Sequence, residues 1–165
     1  MDFLRLLESI RTPFFDTVFQ FFTYFGEETI FMVVAMAFFW CIDKKTGYLL
    51  LYVSFLGNII NTFLKLIFII PRPWVLDKNF TIVESARAEA TGYSFPSGHT
   101  QNSAGLFLGI ARARKELWLR IVCIAIALLV AFSRMYLGVH TPADVLVSLG
   151  VALVLVFAAY PLLNR

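Results

Sequence analysis

Residues 47–70 read GYLLLYVSFLGNIINTFLKLIFII. A helix crossing the hydrocarbon core of a bilayer needs ~20 mostly apolar residues, and this run of 24 is long enough to cross with tilt. The rest of the chain agrees with that reading. Of its 165 residues, 59% are hydrophobic and only 15% are charged, with a mean hydropathy of +0.78. Soluble domains carry about 25% charged residues, so the balance points to a membrane protein, and the length suits a single domain over residues 1–165. The net charge of +3 is too small to argue for nucleic acid, and no basic run interleaves with aromatics, so no nucleic-acid partner is expected.

Four further segments read as spans: Thr29–Ile42, Gly98–Ala113, Leu117–Arg134 and Thr141–Leu163. Phe14–Phe25 is short and interrupted by Asp16 and Gln20, which suits a segment lying in the interface. The expected architecture is an all-α integral-membrane helical bundle. It has about five spanning helices and an interfacial N-terminal segment over residues 1–26, with six spans as the alternative. Met1–Pro13 mixes Asp2, Arg5, Glu8 and Arg11 and does not read as a cleaved signal peptide. Cys41 and Cys123 sit in apolar runs without partner motifs and read as small apolar residues. Alternating spans put Lys44, Lys45, Arg112, Arg114, Lys115, Arg120 and Arg165 on one side, the cytoplasmic one by the positive-inside rule. The long connection over residues 71–97 then faces out, and loops of that length are commonly functional.

Three motifs fall at the outer ends of helices. Lys65 and Arg72, followed by Pro73, are seven residues apart, so both cations share a helix face, with Asn58 and Asn61 continuing the stripe inward. A snorkelling Lys near a helix end is the plain alternative, but a cation this far inside an apolar run marks a functional position. Pro96-Ser97-Gly98-His99 opens the next span, where a capped helix start turns its first amides toward an anion. Ser133-Arg134 ends a later span and is followed by His140 and Asp144. The spacing of four lets Asp144 reach the His140 imidazole. Thr141-Pro142-Ala143-Asp144 is equally a capping box in which Asp144 only bonds backbone. The chain has two histidines, and both fall inside motifs.

Lys65, Arg72 and Arg134, with amides at Ser97 and Gly98, make a clamp for an anion with several oxygens, which means phosphate. Phosphoryl transfer needs charge stabilised on the equatorial oxygens and an attacking and a leaving atom in line. With Asp144 behind it, His140 is the expected nucleophile, and His99 the expected acid and base toward the leaving oxygen and water. No metal or other cofactor is required by this scheme, since two histidines among Lys and Arg make a poor cation site.

Together, K-x6-R-P, P-S-G-H and S-R-x5-H-x3-D resemble the three signature motifs of the type 2 phosphatidic acid phosphatase family, whose site architecture vanadium haloperoxidases share. The match holds at Lys65, Arg72, Pro73, Pro96, Ser97, Gly98, His99, Ser133, Arg134, His140 and Asp144, and it covers about half the chain. The resemblance implies a helical membrane enzyme with an extracytoplasmic site, residing in a bacterial plasma membrane. Its substrate would be a lipid phosphate or diphosphate of the phosphatidate, phosphatidylglycerophosphate or undecaprenyl diphosphate type. It also implies His140 as nucleophile, Asp144 as its orienter, His99 as acid/base, and Lys65, Arg72, Ser97, Gly98 and Arg134 on the phosphate. Hydrolysis and transfer to another lipid share the same covalent intermediate, so a lipid phosphotransferase is the alternative. Membrane members often carry one helix ahead of the region resembling Leu6–Gly26, which a partner or a longer chain would supply here.

Overall fold

The computed structural model describes residues 1–163, and within them the chain is helical throughout, with loops and no strand. Arg165, placed by the sequence reading on the basic side, lies outside the described residues. The helices are α1 (Asp2–Ser9), α2 (Pro13–Tyr24), α3 (Glu28–Ala37, continued by a wider turn over Phe38–Ile42), α4 (Lys44–Phe68), the short α5 (Pro73–Leu76), α6 (Gly98–Ala113), α7 (Leu117–Tyr136) and α8 (Pro142–Leu163).

Three of the long helices start at a side-chain cap. Asp43 caps α4, accepting from the Lys45 amide at 3.2 Å and from the Thr46 hydroxyl, so the helix begins three residues earlier than the apolar run. Ser97 caps α6 through the Thr100 amide. Before α8 the capping box forms in full: Asp144 Oδ2 accepts from the Thr141 amide at 2.8 Å, and Thr141 Oγ1 accepts from the Asp144 amide at 3.3 Å. α4 stops at Ile69, whose φ of 48° is left-handed, an unusual conformation for a β-branched residue. That reversal, followed by Pro71 and Pro73, turns Arg72 back over the bundle.

The short helix α6 is the centre of the bundle and packs against α3, α4, α7 and α8. Small residues allow the approach. A Cβ on Gly105 would lie 3.0 Å from Val53 Cγ1, and one on Gly109 would lie 2.7 Å from Leu50 Cδ2. In lipid, such close backbone contact substitutes for the hydrophobic effect as the source of helix association. The outward faces are apolar instead: Phe55, Phe63, Leu66, Val154 and Phe157 are all exposed.

By length and apolarity, α4 (with α5), α7 and α8 can each cross a bilayer, and α2 with α3 makes a fourth if the pair, bent by 47°, counts as one span. α6 matches its expected bounds, but its 16 residues and polar first turn leave it short of a full crossing on composition alone. The N-terminal segment divides into two helices. α2 has both ends tied to the same end of α7: Asp16 Oδ1 accepts from the Tyr136 hydroxyl at 3.1 Å, and Thr23 Oγ1 accepts from Arg134 at 2.6 Å. α1 buries Leu4 and Leu7 against Phe80 of the long loop. Arg5 holds that loop through Asp77 Oδ2 and the Asn79 carbonyl, at 2.5 and 2.9 Å. Arg11 bridges the Thr81 carbonyl at 2.7 Å and the Tyr136 carbonyl at 2.9 Å.

Candidate active site

His140 lies in the tight connection between α7 and α8, where its amide and that of Val139 both donate to the Arg134 carbonyl. Gly138 supplies the turn with φ of 83°. The imidazole is 2% exposed. Its Nε2 receives Arg72 Nη1 at 3.0 Å, and its Nδ1 faces Asp144 Oδ2 at 3.4 Å. A guanidinium only donates, so Nε2 must present its lone pair and the ring proton belongs on Nδ1, toward the carboxylate. Burial is the main force holding His140 below its usual titration range; Asp144 pulls the other way, and Arg72 and Arg134 add to the depression. The result is a neutral imidazole with its lone pair aimed among cations.

Asp144 therefore answers both readings of its motif. It closes the capping box, and it stands behind His140. Its Oδ2 also accepts from Ser94 Oγ at 2.5 Å. The Arg72 guanidinium is fixed on every nitrogen: Nε to the Gly92 carbonyl, Nη2 to the Thr91 carbonyl, and Nη1 to the Val139 carbonyl as well as His140. Its Cζ also lies 5.7 Å from the centre of the Trp74 ring.

Arg134 is 1% exposed, with Nη1 on Thr23 Oγ1 and 3.9 Å from Glu89 Oε2. Glu89, in turn, sits 3.4 Å from His99 Nε2. His99 is in the first turn of α6 and packs on the α2–α3 turn, where a Cβ on Gly26 would come within 2.7 Å of its carbonyl oxygen. Arg72 and Arg134 act electrostatically on both imidazoles, which ties the two histidines to one cationic cradle.

Lys65 Nζ donates to the Tyr93 carbonyl at 2.8 Å, which brings it to the same loop segment that Arg72 holds. The two asparagines of its stripe part company. Asn61 is buried, with Oδ1 4.0 Å from where a Gly98 Cβ would be, whereas Asn58 turns to Glu28 on α3 at 3.0 Å. Ser97 departs from its expected use as an amide donor: its N–H donates to the Asp144 carbonyl at 3.3 Å, and its hydroxyl caps α6. Gly98 and His99 are then the first-turn amides left at that end. Phe95 precedes a cis bond to Pro96 and packs on Phe68.

Sequence reasoning missed Glu89, Ser94 and Thr23. Each is an ordinary polar residue whose partner lies far along the chain, so spacing carries no signal for it. As for a metal centre, no three His, Cys, Asp or Glu side chains among the described residues group closely enough to hold an ion. What the cluster can do is bind an oxyanion between guanidiniums and present a neutral imidazole to it.

An all-helical membrane bundle whose long loop and three helix ends converge on two imidazoles and three cations defines a class of membrane phosphoryl-transfer folds. The chain belongs to the PAP2 superfamily, whose sequence profile matches residues 46–165. It is 37% identical over 102 residues to undecaprenyl-diphosphatase BcrC of Bacillus subtilis, a match covering 61% of this chain and 49% of BcrC. The matched segment thus spans about half the length of that relative. The crystal structure of Aquifex aeolicus LpxE superposes with a TM-score of 0.83 at 25% identity, covering 96% of this chain and 92% of that one. That of the PAP2-type phosphatidylglycerolphosphate phosphatase from Bacillus subtilis gives 0.78 at 29% identity, covering 98% and 82%.

Proposed function

We propose that this protein is a phosphatase that hydrolyses a lipid phosphate or diphosphate through a phosphohistidine on His140, at the outer membrane face and without a metal. The observation that carries the reading is the Arg72–His140–Asp144 line, which fixes the tautomer and aims Nε2 as a nucleophile. Lys65, Arg72, Arg134 and the Gly98 amide take the non-bridging oxygens, with Ser97 serving the site as cap rather than as amide donor. His140 attacks in line, and His99 protonates the leaving oxygen. In the second step His99 takes a proton from water, the new P–O bond forms, and the N–P bond breaks.

A lipid substrate is supported by the apolar outer surface and by a groove of about 780 Å³ between α3 and α4. The groove is lined by Leu51, Phe55, Ile59, Phe63 and Leu66, and Leu66 adjoins Lys65. The BcrC, LpxE and phosphatidylglycerolphosphate phosphatase likenesses favour substrates of that kind. An outward site is supported by charge: Lys44, Lys45, Arg112, Arg114, Lys115 and Arg120 sit at the helix ends away from the cradle. The double tie of α2 to one end of α7 favours an interfacial residue 1–26 segment followed by five crossings within one domain.

The test is phosphate release by the purified protein in EDTA across a panel of lipid mono- and diphosphates. Release is expected with at least one lipid, and His140→Ala is expected to lose at least about 10²–10⁴-fold. Activity that requires added magnesium, or that survives His140→Ala, overturns the reading.

A further inference from the structure

The site holds a second carboxylate–imidazole pair that no motif contains. Glu89 comes from the loop between α5 and α6, its Oε2 is buried, and it lies 3.4 Å from His99 Nε2 and 3.9 Å from Arg134 Nη1. Both Glu89 Oε2 and His99 Nε2 are closed off from solvent without a hydrogen bond to any group, and they face each other at 3.4 Å, short of a well-formed bond. The charged groups acting on His99 are this carboxylate from the loop, Arg134 from α7 and Arg72 from beyond α4. A carboxylate facing a ring N–H favours a proton on that ring. An acid facing a leaving oxygen needs that proton.

We propose that Glu89 is the positioning residue for His99, holding the ring by Nε2–H so that Nδ1 faces the leaving oxygen. The arrangement mirrors Asp144 and His140 with the ring nitrogens exchanged: Asp144 takes Nδ1 and frees Nε2 to attack, while Glu89 takes Nε2 and frees Nδ1 to exchange a proton. In the first step the Nδ1 proton passes to the departing oxygen as the P–O bond breaks and the His140 Nε2–P bond forms. In the second, a water proton returns to Nδ1. This inference rests on the phosphohistidine reading above.

Leaving-group dependence tests it. Wild type, Glu89→Gln, Glu89→Asp and His140→Ala are compared on a series running from p-nitrophenyl phosphate through phenyl phosphate to alkyl lipid phosphates. A good leaving group departs without a proton, so Glu89→Gln is expected to lose about 10²-fold in kcat on alkyl phosphates and less than about 3-fold on the nitrophenyl ester. Its basic pH limb on alkyl substrates is expected to move to lower pH, and Glu89→Asp is expected to recover most of the loss. Where the nitrophenyl ester is not turned over, the pH limb on the lipid substrate decides alone. An equal loss across the series with an unmoved basic limb overturns the role of Glu89. Turnover by His140→Ala overturns the reading beneath it instead. A Glu89→Gln protein that fails to fold, seen as loss of a monodisperse peak and melting transition, passes the same comparison to Glu89→Asp, where a longer reach to Nε2 is expected to give a smaller loss of the same selectivity.

Discussion

Arg72 Nη1 lies 3.0 Å from His140 Nε2, joining residues 68 apart in the chain inside a buried pocket. The same guanidinium holds the carbonyls of Thr91, Gly92 and Val139, so one side chain clamps the long loop, the α7–α8 turn and the imidazole at once.

Arg72→Lys is therefore expected to be far from conservative. A lysine ammonium offers one nitrogen where the fork uses three, and it cannot hold both loops together. A loss of about 10²-fold in kcat/KM is expected from the missing oxyanion donor. Faster amide hydrogen exchange around Thr91 to Tyr93 would accompany it. Wild-type exchange in that segment alongside full activity would contradict the clamp.

Ser94→Ala removes the 2.5 Å bond to Asp144 Oδ2 from a fully buried position. A hydrogen bond to a charged group contributes about 1.5–3 kcal/mol. The expected outcome is a stability loss in that range by denaturant titration, with about a 10-fold fall in kcat as Asp144 loosens behind His140. Thermal and chemical stability equal to wild type would show that Asp144 does not depend on Ser94.

Gly26→Ala places a methyl 2.7 Å from the His99 carbonyl oxygen, 2.9 Å from His99 Cβ and 3.0 Å from Val130 Cγ1. Backbone cannot swing aside as a side-chain tip does, so overpacking of about 1–3 kcal/mol is expected. Because the strain falls on His99, activity is expected to drop more than melting temperature alone accounts for. A stable, fully active Gly26→Ala protein would mean the turn has room to move.

Glu89 also leaves a mark on stability against pH. Its contact with the His99 imidazole holds the carboxyl below the usual range, against the opposing effect of burial. With the folded value below the unfolded one, which is about 4.3, its contribution is full above that pH and is lost as pH falls through the folded value. Melting temperature is expected to fall more steeply between about pH 5 and pH 3 for wild type than for Glu89→Gln. Parallel curves would remove Glu89 from the account.

Much of this arrangement was legible because the residues that form it also punctuate helices. Ser97 and Gly98 start α6 where a cap and a bare backbone are wanted, and Arg72 stands between two prolines, the second of which opens α5. Thr141 and Asp144 could be read as a capping box or as an orienting pair, and spacing could not choose, since Asp144 does both. What stayed hidden has no period. Glu89 reaches Arg134 across 45 residues and Thr23 reaches it across 111, from a loop and a helix whose local sequence favours no partner. Asn58 shared the Lys65 stripe on paper, but α3 brings Glu28 within its reach and draws it away.

The ties of Arg5 to Asp77 and of Arg11 to Thr81 and Tyr136 bind the first residues of the chain to the rim of the pocket. Residues 5–11 and the reaction centre therefore share a compartment. A small epitope on Met1, probed by antibody on intact cells, would report which aqueous phase supplies the water and receives the released phosphate.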